Sequence, residues 1–265
     1  MIDFENNKGF IITIIVLLVI SLGLGGFIVY DKFLTREEVE ESIVNIDDAS
    51  IDLNAFYNIE DIINKFDVAF NDNHSTFYAY PYKLNKLEAS NFDMGTAIYV
   101  SSYDKLLDNG ALNYLREGDV KASFSNIFGK NLNYTATNVV AGENFNITFN
   151  ESKYDYIMPN IDKNKLFNYE LINTKTTVLE DKVIVTRKLF YAEFISNDQG
   201  LTITQADIYA DDSKSKKLTS ITLRNGSLNK KEIIGKVGSK LNTYEYTFNR
   251  NKNNEYNFYS IERIK

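Results

Sequence analysis

One histidine, no cysteine and 36 carboxylates set the limits of the chemistry this chain can do. Without cysteine there are no disulfides, no thiolate metal sites and no thiol nucleophile. A metal site built from imidazoles needs more than one, and a Ser-His-Asp triad would have to use His74. That residue lies in an Asn/Asp/Ser stretch and reads as an exposed turn residue. Ser-x-x-Lys, the spacing by which a helix sets a lysine beside a serine nucleophile, occurs at Ser102/Lys105, Ser213/Lys216 and Ser227/Lys230. The companion Ser-Asp-Asn and Lys-Thr-Gly motifs are absent, and the last two pairs fall in turns. Residues 235–240, Gly-Lys-Val-Gly-Ser-Lys, look like a phosphate loop but lack its four-residue spacer before Gly-Lys-Ser/Thr. Asp211 and Asp212 are oxygen ligands of the kind a hard cation takes, yet in a hairpin turn they read as solvated turn residues. A glycosidase needs two carboxylates about 5–9.5 Å apart, and the sequence does not nominate the pair. It therefore assigns no catalytic, cofactor-binding or metal-binding residue and implies no cofactor.

Location carries more information than chemistry. Residues Gly9 to Tyr30 form an uncharged run of 22 residues, which as a helix would span roughly 33 Å and so match a hydrocarbon core of about 30 Å. Only Thr13 and Ser21 interrupt an Ile, Val, Leu and Phe surface on every side, whereas a soluble core helix of that length keeps a polar face. Small-x-small sites at Ser21-Leu22-Gly23 and Gly23-Leu24-Gly25 would suit cleavage, but Phe27 to Tyr30 carry the apolar run past both. The expectation is an uncleaved transmembrane signal anchor over 9–30 that contacts the lipid bilayer, after a short tail at 1–8. Lys8 stands on one side and Lys32 and Arg36 on the other, so the charge bias does not fix orientation. Long domains translocate largely regardless of it, and one apolar segment ahead of the whole folded part is the arrangement of an export signal. The C-terminal part is expected outside the cytoplasm.

The whole sequence is 44% hydrophobic, with 18 Tyr and 18 Phe, which suffices for a core and excludes general disorder. A net charge of −7 argues against nucleic acid, which selects a basic face, and against broad contact with anionic lipid. An exported domain of this size without cysteine points to a bacterial surface.

Thr35-Arg36-Glu37-Glu38 fits a capping box and predicts an acidic juxtamembrane helix, followed by a stalk to residue 57. Asn58 reads as the cap of an amphipathic helix, with Ile59, Ile62, Ile63, Phe66 and Phe70 on one stripe. Between 71 and 110 no pattern is long enough to assign; Phe77, Tyr78, Tyr80 and Tyr82 around Pro81 read as packing, with a sugar or peptide groove as the alternative, and Ala97–Val100 fits strand or helix. A second helix is expected over 119–128, with Val120, Phe124, Ile127 and Phe128 inward and Gly129 at its end. A β-hairpin follows around Glu151-Ser152-Lys153, its second strand stopped by Pro159.

From Tyr169 the pattern has period two. Strands are expected at 182–196, 201–211, 216–225, 243–250 and 255–264, with a doubtful one at 174–179 that could merge into the next. Ile184, Phe190, Ala192 and Phe194 share a face, as do Tyr244, Tyr246 and Phe248; a short helix within 227–240 turns Leu228, Ile233 and Ile234 inward. Turns fall at 197–200, Asp211–Lys214, Asn225-Gly226 and Asn251–Asn254.

These elements predict an α+β domain over 58–265, a curved antiparallel meander covered by amphipathic helices, divisible into a helical and hairpin part at 58–165 and a sheet part at 166–265. On element order alone it resembles the cone-shaped folds of nuclear transport factor 2 and the cystatins. The functional expectation is a single-pass membrane protein whose external domain is non-catalytic and contacts a protein or cell-envelope partner. The alternatives are an anchored small-ligand sensor and a surface hydrolase using two carboxylates. Oligomeric state is not readable.

Overall fold

A computed structural model describes residues 53–72, 75–107, 114–142, 146–153, 155–157, 169–196, 203–224 and 226–265, all within the unit Ile43–Lys265. The expected anchor at 9–30, the capping box at 35–38, His74, Pro159 and the 197–200 turn lie outside the described residues. No helix among the described residues is long and apolar enough to cross a membrane. The fold is α+β with antiparallel sheets.

Helix α1 runs Leu53–Phe70, so it begins five residues before the cap expected at Asn58. The Asn58 amide instead donates to the Tyr256 carbonyl at 2.7 Å. The stripe is as expected, with Ile59, Ile62, Ile63, Phe66 and Phe70 all buried. After the short strand β1, Lys86–Glu88, the ambiguous stretch at 97–100 forms part of helix α2, Met94–Leu107. Asp93 starts it by accepting from the Thr96 N–H at 3.1 Å. Strand β2, Tyr114–Arg116, leads into helix α3, Glu117–Phe128. Gly129 follows at φ 54°, where a side chain would strike Asn257. The Asn257 amide caps that helix end by donating to the Asn126 carbonyl at 2.9 Å.

The expected hairpin is β4, Asn146–Asn150, with β5, Asp155–Ile157. Strand β2 and β3, Val139–Val140, extend it to a four-stranded sheet.

The main sheet is built around β7, Lys182–Ser196. Strand β6, Tyr169–Val178, is a full strand separated from β7 by a turn at 179–181, which corrects the doubtful assignment at 174–179. Strands β8, Ile203–Tyr209, and β9, Lys217–Thr222, continue the meander. Helix α4, Lys230–Val237, is capped by Asn229, which accepts from the Glu232 N–H. The chain then returns as the hairpin β10, Asn242–Arg250, and β11, Tyr256–Arg263. β10 lies against β7 and β11 against β1.

Tyr191 pairs with Tyr169 of β6 and Tyr209 of β8 at once, so those strands flank β7 on opposite edges. β10 pairs with the first half of β7 and β8 with the last part, so β10 and β8 follow one another along one edge. Burial tracks this division. Val183, Val185 and Leu189 pack into a core with α1, α2 and α3, whereas Phe190 and Ala192, on the other face, pack into a second core with Ile233 and Val237 of α4. Ile184 shares the face of Phe190 as expected but is only half-buried, because its half of β7 turns the opposite face inward.

Phe66 centres the first core, its ring 4.7 Å from Phe258, 5.7 Å from Phe70 and 6.1 Å from Phe92. Charge also lies in this layer. Arg187 projects from β7 and is 3% exposed; its Nη1 and Nη2 each donate to Asp67 of α1 at 2.6 Å, and its Nε donates to Asn173 of β6 at 2.7 Å. The guanidinium stacks on Tyr246 at 5.1 Å, whose hydroxyl meets that of Tyr82 at 3.1 Å. Burial pulls the Arg187 value down, but the Asp67 carboxylate more than restores it and the net shift is upward. Among the described residues no buried side-chain polar atom lacks a partner, so the network is satisfied.

Removing one member of such a pair leaves a buried charge uncompensated. Asp67→Ala should cost about 3 kcal/mol in denaturant unfolding, and Asp67→Leu with Arg187→Met together should cost less than Asp67→Ala alone. Phe66→Ala should cost about 3–5 kcal/mol through the cavity it leaves.

Candidate functional site

Residues that alternate with the second core form the opposite face of the outer sheet. Pairing sets them in three rows across β7, β8 and β9: Tyr191–Tyr209–Lys217, Glu193–Asp207–Ser220 and Ile195–Gln205–Thr222. Ile195 and Thr222 are exposed and Tyr191, Glu193, Gln205 and Tyr209 half-buried, so this face meets solvent in part. It is the one place among these strands where two carboxylates stand directly opposite, an unfavourable cross-strand pair by itself.

Each carboxylate has its own lysine. The Glu193 carboxylate accepts from Lys214 Nζ at 2.6 Å and from the Tyr209 hydroxyl at 3.3 Å. Lys214 reaches it from the β8–β9 turn, where it sits at φ 50°. The Asp207 carboxylate accepts from the Ser220 hydroxyl at 2.6 Å, Lys217 Nζ at 3.1 Å and the Gln205 amide at 3.2 Å. The hydrogen bond from Lys214 holds the Glu193 carboxyl below the usual range, against a smaller upward push from burial. Burial pushes Asp207 up, but the bonds from Ser220, Lys217 and Gln205 together outweigh it and the net shift is downward. Both are thus ionised acceptors near neutral pH. A general acid needs a raised value, and neither carboxyl is poised to donate a proton. Glu60, on α1, is pushed up by burial.

The aromatic group around Pro81 continues this face inward as packing. Tyr78 lies 5.4 Å from Tyr169, which lies 5.4 Å from Tyr191. Tyr82 is buried on Tyr169 and Tyr244, and its main-chain carbonyl accepts from the Tyr244 hydroxyl. Burial first, then the nearby Asp212 charge, raises Tyr169, so it stays a neutral phenol.

The serines of the Ser-x-x-Lys pairs have other partners. The Ser102 hydroxyl turns back to the Ile98 carbonyl at 2.7 Å. Ser213 donates to Asp211 within its own turn, and Lys230 pairs with Glu170 at 3.1 Å, away from Ser227, which pairs with Arg224. Asp211 also accepts from the Ser213 N–H. Among the described residues no three His, Asp or Glu side chains group as a metal site. Residues 235–237 end α4 and Gly238–Lys240 form a 3-10 turn, so the segment lies at the wrong end of its helix for a phosphate loop. Its Gly238 and Ser239 carbonyls accept from Lys188 and Lys265. Large apolar side chains reach solvent on separate elements: Tyr57 on α1, Tyr114 on β2, Val140 on β3, Ile195 on β7 and Tyr259 on β11.

Compared with known proteins, the chain matches no family model, no curated protein and no solved structure.

The lowered Asp207 value fixes the sign of a pH effect. A carboxyl held lower in the folded than the unfolded chain adds stability above the unfolded value of about 4, and that contribution disappears as pH falls through the folded value. Asp207→Asn should therefore cost on the order of 1 kcal/mol at pH 7. Unfolding curves of the two proteins should converge as pH falls through the folded carboxyl's value; a gap that widens on acidification would contradict the assignment.

Proposed function

We propose that this is a single-pass membrane protein in which residues 9–30 are an uncleaved anchor and 31–52 a juxtamembrane segment and stalk. The α+β domain stands outside the cytoplasm and works by contact with a protein or cell-envelope partner. The observation that carries this reading is the uncharged run of 22 residues, Gly9 to Tyr30, ahead of all the described residues. Its length fits a bilayer, and its lack of a polar face does not suit a soluble helix. A contact role, in preference to hydrolysis, is supported by the Glu193 and Asp207 pair, whose hydrogen-bond donors, Lys214 on Glu193 and Ser220, Lys217 and Gln205 on Asp207, keep both carboxyls ionised.

The test is protease shaving of intact cells carrying a tag after Lys265. Loss of the tag, with a small remnant left in the membrane fraction, is the expected result. A tag that survives on intact cells but is cut after lysis places the domain inside and overturns the orientation. A tag recovered wholly in the soluble fraction removes the anchor.

A further inference from the structure

The turn that ends α4 collects cations. Lys188 Nζ, from β7, donates to the Gly238 carbonyl at 2.6 Å, and Lys265 Nζ donates to the adjacent Ser239 carbonyl at 2.6 Å. Lys240 belongs to the same turn and is exposed. Arg263 reaches the neighbourhood too, donating to the Asn242 side chain at 2.6 Å and the Lys265 main-chain oxygen at 3.1 Å. Of the nearby carboxylates, Glu232 pairs with Lys236 at 2.7 Å and Glu170 with Lys230 at 3.1 Å, while Glu245 of β10 stands opposite Glu262 of β11.

Cations at the C-terminal end of a helix are ordinary caps, and capping accounts for one N–H of each ammonium. It leaves two further N–H donors on each, and two like charges held on consecutive carbonyls in a protein of net charge −7. Burial, and then the charge of Lys265, lowers the Lys188 value. Planar carboxylates are matched best by the fork of an arginine, whereas separate lysine point charges suit an anion with several oxygens around one centre.

We propose that Lys188 and Lys265, with Lys240 at the rim, form a binding site for a phosphate or phosphodiester group. The anion accepts from the free N–H donors of both ammonium groups while their remaining donors stay on Gly238 and Ser239. The site uses no backbone N–H cradle, and it stands or falls separately from the membrane anchor.

The experiment titrates the full chain in uncharged detergent with inorganic phosphate at constant ionic strength and follows the Lys ε-CH₂ resonances. In parallel it titrates short-chain soluble phosphatidylglycerol against phosphatidylcholine of the same chain length. Lys265→Gln and Lys188→Gln keep a donor while removing the charge, and Lys265 is exposed enough to change without touching either core. Saturable shifts confined to these lysines, weakened about tenfold or more by either variant, are expected. If phosphate gives them, the ligand is a free or polymer-borne oxyanion. If only phosphatidylglycerol does, the ligand is a lipid headgroup. Absence of saturable binding in both titrations, or binding that survives Lys265→Gln unchanged, overturns the site.

Discussion

The bidentate pair between Arg187 and Asp67 is the constraint around which the domain is arranged. A guanidinium 3% exposed cannot be left without a partner, so α1 must cross the sheet where its Asp67 meets β7. That crossing also fixes rotation. With Asp67 turned towards β7, Ile63, Phe66 and Phe70 face the rings of Phe92, Phe128 and Phe258. The Asn71 side chain then bonds both the N–H and the carbonyl of Tyr169, tying the end of α1 to the first residue of β6. A polar contact thus sets the register in which the apolar layer closes.

β7 carries the second organising fact. Its odd positions are buried from Val183 to Leu189 and its even positions at Phe190 and Ala192, so one strand serves two cores on opposite faces. The outer part is left with α4 on one side and the rows of Tyr191, Glu193 and Asp207 on the other. There, opposed carboxylates are tolerated because lysines from the β8–β9 turn and from β9 neutralise them individually.

Much of this was legible in the sequence where apolar residues followed a single period. The α1 stripe, α3 with its terminal glycine, and the alternation of Tyr244, Tyr246 and Phe248 needed only local patterning. The missing pieces share a different cause. α2 is buried along Ala97–Tyr103 with Thr96, Ser101 and Ser102 among its inward residues, so it lacks the polar face by which helices are recognised; the two serines are satisfied by their own helix carbonyls. Arg187 reads as an outward charge at an alternating position, and only Asp67, 120 residues away, reverses that. Asn58 looks like the cap that opens α1, yet its amide serves Tyr256 and the helix begins at Leu53. The candidate site was unreadable for the same reason, since its rows are assembled by cross-strand pairing and no local motif encodes them.

The contact between Asn58 and Tyr256 links the entry of the domain to its last hairpin. β11 is hydrogen-bonded on both sides, to β1 and to β10, and α1 lies across it with Phe66 against Phe258. Tension applied at the leading end of α1 therefore does not peel a free edge. It acts in shear on a strand clamped from two directions, loading the rings and the ladder bonds together.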